Sequence, residues 1–334
     1  MPSMATTAVL GAGSWGTALA LQLSRNGHGT QIWDCDTGLI GTLQSERCNR
    51  RYLPDQPLPD SLSAHHDLQA ALSGTELVLI AVPSHAMRTV CEQLALLRFP
   101  SRLVWATKGF EKQSGMMMHE VIAQVLGDKV LTAVLSGPSF AREVACRLPA
   151  AVTLASADPG FAHEVAGHFH SSNFRVYTSD DVIGVELGGA IKNVLAIAAG
   201  ITDGLDLGAN ARSALITRGL AEMMRLGESL GAARSTLMGL AGVGDLILTC
   251  TDDQSRNRRL GLALAQGKSA QQYMDELGQT VEGFHAAQVV HQIARQHQVN
   301  MPICTQVWRV LNGDLELEAA VSELLSRDMK VELT

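Results

Sequence analysis

The stretch Ala8–Gly16, AVLGAGSWG, with Thr17–Asn26 behind it and GTQIWDCD over Gly29–Asp36, decides how the N-terminal half is built. Ala8-Val9-Leu10 is a short apolar run suited to a buried strand, and three glycines follow it at the spacing G-x-G-x-x-G. Thr17–Asn26 then carries apolar residues at helical spacing and stops at Gly27. Gly29–Trp33 reads as a second strand that closes on Asp34-Cys35-Asp36. The glycine spacing alone is weak. Strand, glycines, helix, second strand and terminal acid within about thirty residues form a specific signal for a dinucleotide-binding unit.

Each part has a physical reason. Gly11 permits a tight turn, Gly13 lets backbone approach a pyrophosphate, and Gly16 lets the helix pack on the strand. The helix start offers unpaired N–H groups and a partial positive charge to phosphates. A carboxylate at the end of the second strand, Asp34 or Asp36, would accept hydrogen bonds from the ribose hydroxyls of NAD and repel the 2′-phosphate of NADP. Arg47, Arg50 and Arg51 stand further along and could neutralise that phosphate.

The alternation continues outward from there. Glu76–Val82, Arg102–Thr107, Lys129–Leu135, Ala151–Ala155 and Phe174–Tyr177 read as further strands, and Ser84–Leu97 as a helix. Near-continuous apolar strands separated by helices predict an α/β, Rossmann-type, mostly parallel, doubly wound sheet. Ligands in such sheets sit beyond the carboxyl ends of the strands. That rule singles out Gly11–Gly16, Pro83-Ser84, Lys108 and Gly137–Ser139.

From Asp180 onward the sequence has helical periodicity and no convincing strand. The expected division is therefore 1–180 for the dinucleotide-binding domain and 181–334 for an all-helical domain, with Ser179 or Asp180 capping the first helix. That helix, VIGVELGGAIKNVLAIAAGI over Val182–Ile201, is long enough for about five turns and nearly all aliphatic or small. Glu186 and Lys192 interrupt it, too costly a pair for a membrane span. Lys192 shares a face with Gly188, Gly189, Leu195, Ala196 and Ala199. An ammonium there either snorkels to the surface or serves chemistry. Two more stretches draw notice: Gly242-Val-Gly-Asp245 leading to Thr249, and Asp252–Arg259 opening a helix that runs to Gln266. Arg256 near that helix start, flanked by Ser255 and Asn257, suits a phosphate. Arg258 and Arg259 suit equally a solvated face paired with Asp252 and Asp253.

Composition bounds the rest. The chain of 334 residues is 46% hydrophobic, enough for two cores, and its net charge of −7 argues against a nucleic-acid or anionic-membrane surface. Any anion site must then be a local basic cluster. Six scattered cysteines without a CxxC pair read as reduced thiols. With no signal-peptide pattern at the N-terminus, the expected location is cytoplasmic. The eleven histidines show no metal-ligand spacing, so no metal is expected.

In combination the motifs become specific: GAGSWGTALA from Gly11, AVPSH from Ala81, WATKG from Trp105, SGPSFA from Ser136, GVELGGAIKNVLAIAAG from Gly184, GANARSALITRGLAEM from Gly208, GVGDLILTCTDDQSRNRR from Gly242 and TVEGF from Thr280. In this order the chain resembles the NAD(P)-dependent glycerol-3-phosphate dehydrogenases of bacterial type, from about Val9 to Leu311. The resemblance implies reversible hydride transfer between NAD or NADP and C2 of dihydroxyacetone phosphate, a supply of glycerol 3-phosphate for phospholipid synthesis, and a homodimer. Carried over by matching motif, Lys192 is the catalytic acid/base. Lys108, Gly137, Ser139, Lys192, Asp245, Ser255, Arg256 and Asn257 would contact substrate. Gly11, Gly13, Ser14, Trp15, Gly16, Lys108, Ala141, Arg256 and Glu282 would contact the cofactor, with Asp34 added from the strand-end argument. Asn193 and Thr249 would support them.

The chemistry agrees with these assignments. Reduction of a ketone builds negative charge on its oxygen, which a positioned ammonium stabilises and protonates. A free lysine, near pKa 10.4, is a poor base for the reverse reaction. A dry helix face and a second ammonium at Lys108 would lower it, while Asp245 would oppose that shift and hold the amine. Two other readings stand beside this one. A redox sensor without turnover needs only the glycine loop, and a 6-phosphogluconate- or hydroxyacid-type dehydrogenase also uses a GGAxKN-like helix. SGPSFA together with TDDQSRNRR separates the last of these.

Overall fold

The computed structural model describes residues 5–279 and 281–329. Ten strands are found: β1 Thr6–Leu10, β2 Gly29–Trp33, β3 Cys48–Asn49, β4 Leu53–Pro57, β5 Leu62–His65, β6 Leu77–Ile80, β7 Arg102–Trp105, β8 Leu131–Ser136, β9 Ala150–Ala155 and β10 Phe174–Ser179. Eight of them form one sheet in the order β10-β9-β8-β7-β6-β1-β2-β5, while β3 and β4 make a separate antiparallel pair. Every neighbouring pair in the large sheet is parallel except β8 and β9. The expected mostly parallel sheet is therefore present.

Strands β5, β3 and β4 escape the sequence reading for a physical reason. β5 is a short edge strand, LSAH, and β4 is LPDQP with three exposed residues, so neither carries an apolar run. From β1 the chain moves outward through β2 to β5, then returns to start β6 on the other side of β1. That reversal is the topological switch point where such sheets bind ligands. The turns after β1, β6, β7 and β8 belong to four consecutive, parallel strands, so they open along one sheet edge. Val9, Ile32, Leu79 and Val104 are among the strand residues whose exposure is nil. Full burial of such side chains is worth roughly 1.5–3 kcal/mol each.

After β10 every described element is helical. Neither Ser179 nor Asp180 caps the long helix Val182–Gly204. Asp181 does, its Oδ1 accepting from the N–H of Gly184 at 2.7 Å while Oδ2 accepts from Ala233 N at 2.9 Å. The Ser179 hydroxyl accepts instead from the N–H of Asp181. The long helix is apolar enough to cross a membrane by length and composition, and 89% of its most apolar window is buried in protein. Packing divides the chain inside this helix. One compact unit comprises Met1–Gly189 with Gly231–Asp245, the other Ala190–Leu230 with Leu246–Thr334.

Candidate active site

In the first unit the glycine loop joins β1 to the helix Ser14–Arg25. Gly11 has φ +109°, and a Cβ there would lie 2.8 Å from the carbonyl oxygen of Ala81, the residue after β6. A Cβ on Gly16 would come to 1.9 Å from Gly11 O. Both positions are closed by the protein's own backbone. Gly13 differs, because nothing lies within 4 Å of where its Cβ would be. No side chain caps the helix start at Gly13, and the indole Nε1 of Trp15 is buried without a hydrogen-bond partner. Open space, uncapped N–H groups and an orphaned donor fit a pyrophosphate, so these residues suit the nicotinamide dinucleotide that the sequence implies.

Asp34 follows β2 as expected. Its Oδ2 accepts from the N–H of Ala12 at 2.7 Å and its Oδ1 from Asp36 N at 3.0 Å, so the carboxylate is anchored to the loop. The three arginines are engaged within the same region. Arg47 donates to Pro59 O at 2.5 Å, Arg50 pairs with Glu46, and Arg51 pairs with Asp36 at 3.1 Å. Asn49 was not legible as a site residue, yet its amide donates to Ala12 O and Thr17 Oγ1, both at 2.8 Å, and so fixes the loop from β3. A lone Asn in a turn-rich stretch carries no signal of such a contact.

Further along the same sheet edge, Lys108 stands after β7 and Gly137 after β8. The Lys108 ammonium donates to Asp245 Oδ2 at 2.7 Å and to Gly137 O at 3.1 Å. Asp245 is 1% exposed, so this is a charge pair held largely out of water. Such a pair needs its partners in place, because removing one leaves an uncompensated buried charge. The sequence leads to an expectation that Asp245 holds the Lys192 amine, and the structure adds Lys108 as a partner of the same carboxylate. Gly137 has φ +144°, and a Cβ there would meet Val152 Cα at 2.9 Å. Ser139 Oγ donates to Gly137 O at 2.9 Å, and Ala141 opens the helix Ala141–Ala145 just beyond. Gly189 leaves room for this arrangement: its Cβ would fall 2.7 Å from Ser136 Oγ and 3.4 Å from the Lys108 stem. Glu186, the other charge of the long helix, is buried and accepts from His119 Nδ1 at 2.6 Å. Burial pushes that imidazole's pKa down, but the Glu186 hydrogen bond and charge outweigh it and raise the pKa.

In the second unit Lys192 is 7% exposed and Asn193 5%, so the lysine does not snorkel to the surface. Asn257 Nδ2 donates to Asn193 Oδ1 at 2.9 Å, and Asn257 Oδ1 accepts from Gly283 N at 2.9 Å. The long helix and the helix Arg256–Ala265 come together through glycine. A Cβ on Gly200 would lie 2.0 Å from Arg258 O, and one on Gly261 would lie 2.1 Å from Ile197 O. Ser255 caps the second of these helices, accepting from Arg258 N at 3.2 Å. Arg256 is exposed at that helix start and donates to Gln279 Oε1 at 2.9 Å. Arg258 turns away to Asp203 at 2.6 Å and to Asp253, which makes it a structural ion pair. Thr249 is buried, and Glu282 begins the helix Glu282–Gln296. Thr280, first residue of the TVEGF motif, lies outside the described residues. Among the described residues there is no cluster of three or more His, Cys, Asp or Glu that could hold a metal.

Comparison with known proteins gives this arrangement its context. Residues 6–162 match the family model for the NAD-dependent glycerol-3-phosphate dehydrogenase N-terminus, and residues 181–322 match that for its C-terminus. The glycerol-3-phosphate dehydrogenase [NAD(P)+] of Halorhodospira halophila is 55% identical over 98% of both chains. That of Thioalkalivibrio sulfidiphilus is 56% identical over 99% of both. The crystal structure of the Coxiella burnetii glycerol-3-phosphate dehydrogenase superposes with a TM-score of 0.93 at 49% identity, covering 97% of this chain and 99% of that one. D-mandelate dehydrogenase shares the fold alone, at 12% identity and a TM-score of 0.64. Two family models in the expected order and half-identical relatives over nearly the full length leave one reading: the chain belongs to the NAD-dependent glycerol-3-phosphate dehydrogenase family.

Proposed function

We propose that this protein is an sn-glycerol-3-phosphate dehydrogenase that interconverts dihydroxyacetone phosphate and glycerol 3-phosphate with NAD(P)H. The observation that carries the reading is Lys192, an ammonium 7% exposed on a helix of small residues, beside Asn193 and its bond to Asn257 in the Ser255-Arg256-Asn257 triplet. A bound nicotinamide supplies the hydride. Lys192 donates the proton to the C2 oxygen as the ketone is reduced and takes it back in the reverse direction. Its charge stabilises the oxyanion as it develops. Arg256, at a helix start between Ser255 and Asn257, binds the substrate phosphate. Lys108, oriented by Asp245 and the Gly137 carbonyl, contacts the polar end of the substrate together with Gly137 and Ser139. Ser14, Trp15, Ala141 and Glu282 complete the cofactor contacts. Supply of glycerol 3-phosphate to phospholipid synthesis, a homodimeric state and a cytoplasmic location belong to the same proposal. That none of the six cysteines forms a disulfide supports the last.

The test compares the wild type and Lys192→Ala on dihydroxyacetone phosphate and on 2-keto acids, with NADH and NADPH. The wild type is expected to reduce the phosphorylated ketone and leave the keto acids unchanged. Lys192→Ala should keep its nucleotide affinity and lose roughly 10²- to 10⁴-fold in kcat. Retention of more than about a tenth of wild-type kcat would sink the acid/base assignment, and turnover of keto acids would replace the substrate.

A further inference from the structure

The helical unit contains a cavity of about 540 Å³ that no residue of the proposed catalytic machinery lines. Leu215, on the helix Gly208–Ser229, lines it with Ile303, Val321 and Leu324. An annex of about 40 Å³ shares those four residues and continues among Val307, Val310 and Ala320, with no charged side chain in its lining. The main cavity carries three guanidinium groups, Arg218, Arg225 and Arg327, against two acids, Glu222 and Asp328. Glu222 is already committed. It is 1% exposed, and its two oxygens accept from Ile303 N at 2.7 Å and Cys304 N at 3.1 Å at the start of the helix Pro302–Leu311. Arg225 is oriented by its Nε and Nη2, which donate to Asn300 O at 3.2 and 3.0 Å.

One end of this space therefore carries guanidinium groups, and the other is uncharged and mainly apolar, with Thr202 and Gln306 as its polar side chains. Its volume lies in the range of small-molecule sites, ~300–1,000 Å³, which are mostly apolar with a few fixed polar groups. We propose that the cavity is a second binding site, for an amphipathic monoanion of the acyl-carboxylate class. The carboxylate meets the guanidinium groups, which suit planar oxyanions, and the hydrocarbon chain runs toward the annex. This inference does not depend on the dehydrogenase reading, because none of its residues has a role in the proposed reaction.

Calorimetric titration with decanoate, decanol and decyltrimethylammonium, each below its micelle concentration and each with and without NADH, tests it. Decanoate is expected to bind with one site per chain, undiminished by NADH, and to do so at least tenfold more tightly than either analogue. Ala214→Trp, which fills the mouth from an exposed position, should weaken decanoate binding at least tenfold while leaving turnover of the proposed substrate unchanged. Ala211→Phe serves as the second filling variant should the first unfold. Arg218→Gln should weaken decanoate but not decanol. Equal affinity for the three head groups, competition by NADH, or undiminished binding in both filling variants would overturn the site. So would a dimer that ignores decanoate and dissociates in Ala214→Trp, since the cavity would then belong to an interface between two copies of the chain.

Discussion

Glycine does different things in the two units. In the dinucleotide-type unit Gly11 and Gly16 are closed by backbone at 2.8 and 1.9 Å, whereas Gly13 between them faces open space. In the helical unit Gly200, Gly261 and Gly283 are all closed, with contacts of 2.0, 2.1 and 2.6 Å to main-chain oxygens. The closed glycines let two pieces of backbone touch. The open one leaves a place for something that is not protein. A row of glycines in a sequence does not distinguish these uses, because the distinction lies in what stands opposite each Cα. In the helical unit close approach also positions function: the Gly200–Gly261 crossing belongs to the two helices that carry Asn193 and Asn257.

The largest expected effect breaks this comparison directly. Gly261→Ala would force a methyl group onto Ile197 O, and overpacking of that kind costs about 1–3 kcal/mol or more. The expected result is a fall in Tm of several degrees with a loss of turnover. Gly13→Ala should leave Tm within a degree or so and raise the Kd for NADH instead. If both variants lose stability alike, the space at Gly13 is not a ligand position.

A smaller effect concerns Asp34. Its carboxylate is anchored to Ala12 N, and Arg47, Arg50 and Arg51 are held by Pro59 O, Glu46 and Asp36. A fixed carboxylate should outweigh arginines already engaged, so the wild type is expected to use NADH well. Asp34→Gly should shift the ratio of kcat/KM values toward NADPH, and should weaken both cofactors because the loop loses its anchor. A wild-type preference for NADPH of tenfold or more, about 1.4 kcal/mol, would show that the arginines win.

The smallest effect contrasts the titratable groups buried in each unit. His28 and His168 are 2% and 3% exposed with ring centroids 4.7 Å apart, and burial pushes both below the usual imidazole pKa. Their contribution to stability is full above about pH 6.5 and is lost as pH falls through their lowered values. Glu222 behaves oppositely. Burial raises its pKa to about 7, against the pull of the Ile303 and Cys304 N–H groups, so stability declines as pH rises from the ordinary carboxylate range to about 7. His28→Leu should flatten the acid limb of a Tm–pH curve. Glu222→Gln should remove the decline with rising pH, so its stability relative to the wild type rises between pH 5 and pH 8. Its poorer acceptor for Cys304 N lowers stability at both pH values alike. A Glu222→Gln curve parallel to that of the wild type would show that the carboxyl titrates elsewhere.

The sequence by itself determined the elements whose cause is local. Apolar runs specified the strands around β1, glycine spacing specified the loop, and small residues with helical period specified the Lys192 helix. These are properties of a few neighbouring residues, so a window of sequence contains them. The motifs in order also determined the family. Only the tertiary structure decided the rest, because the partners are far apart along the chain. It gave Asp245 to Lys108 across 137 residues, and it made Asp181 the cap that also ties down Ala233. It separated Arg258, drawn to Asp203, from the exposed Arg256 two residues earlier. It also opened the cavity above Glu222, which no motif announces. A hydrogen bond or a void between distant residues depends on how whole elements pack, and the identity of one residue does not encode what the fold places opposite it.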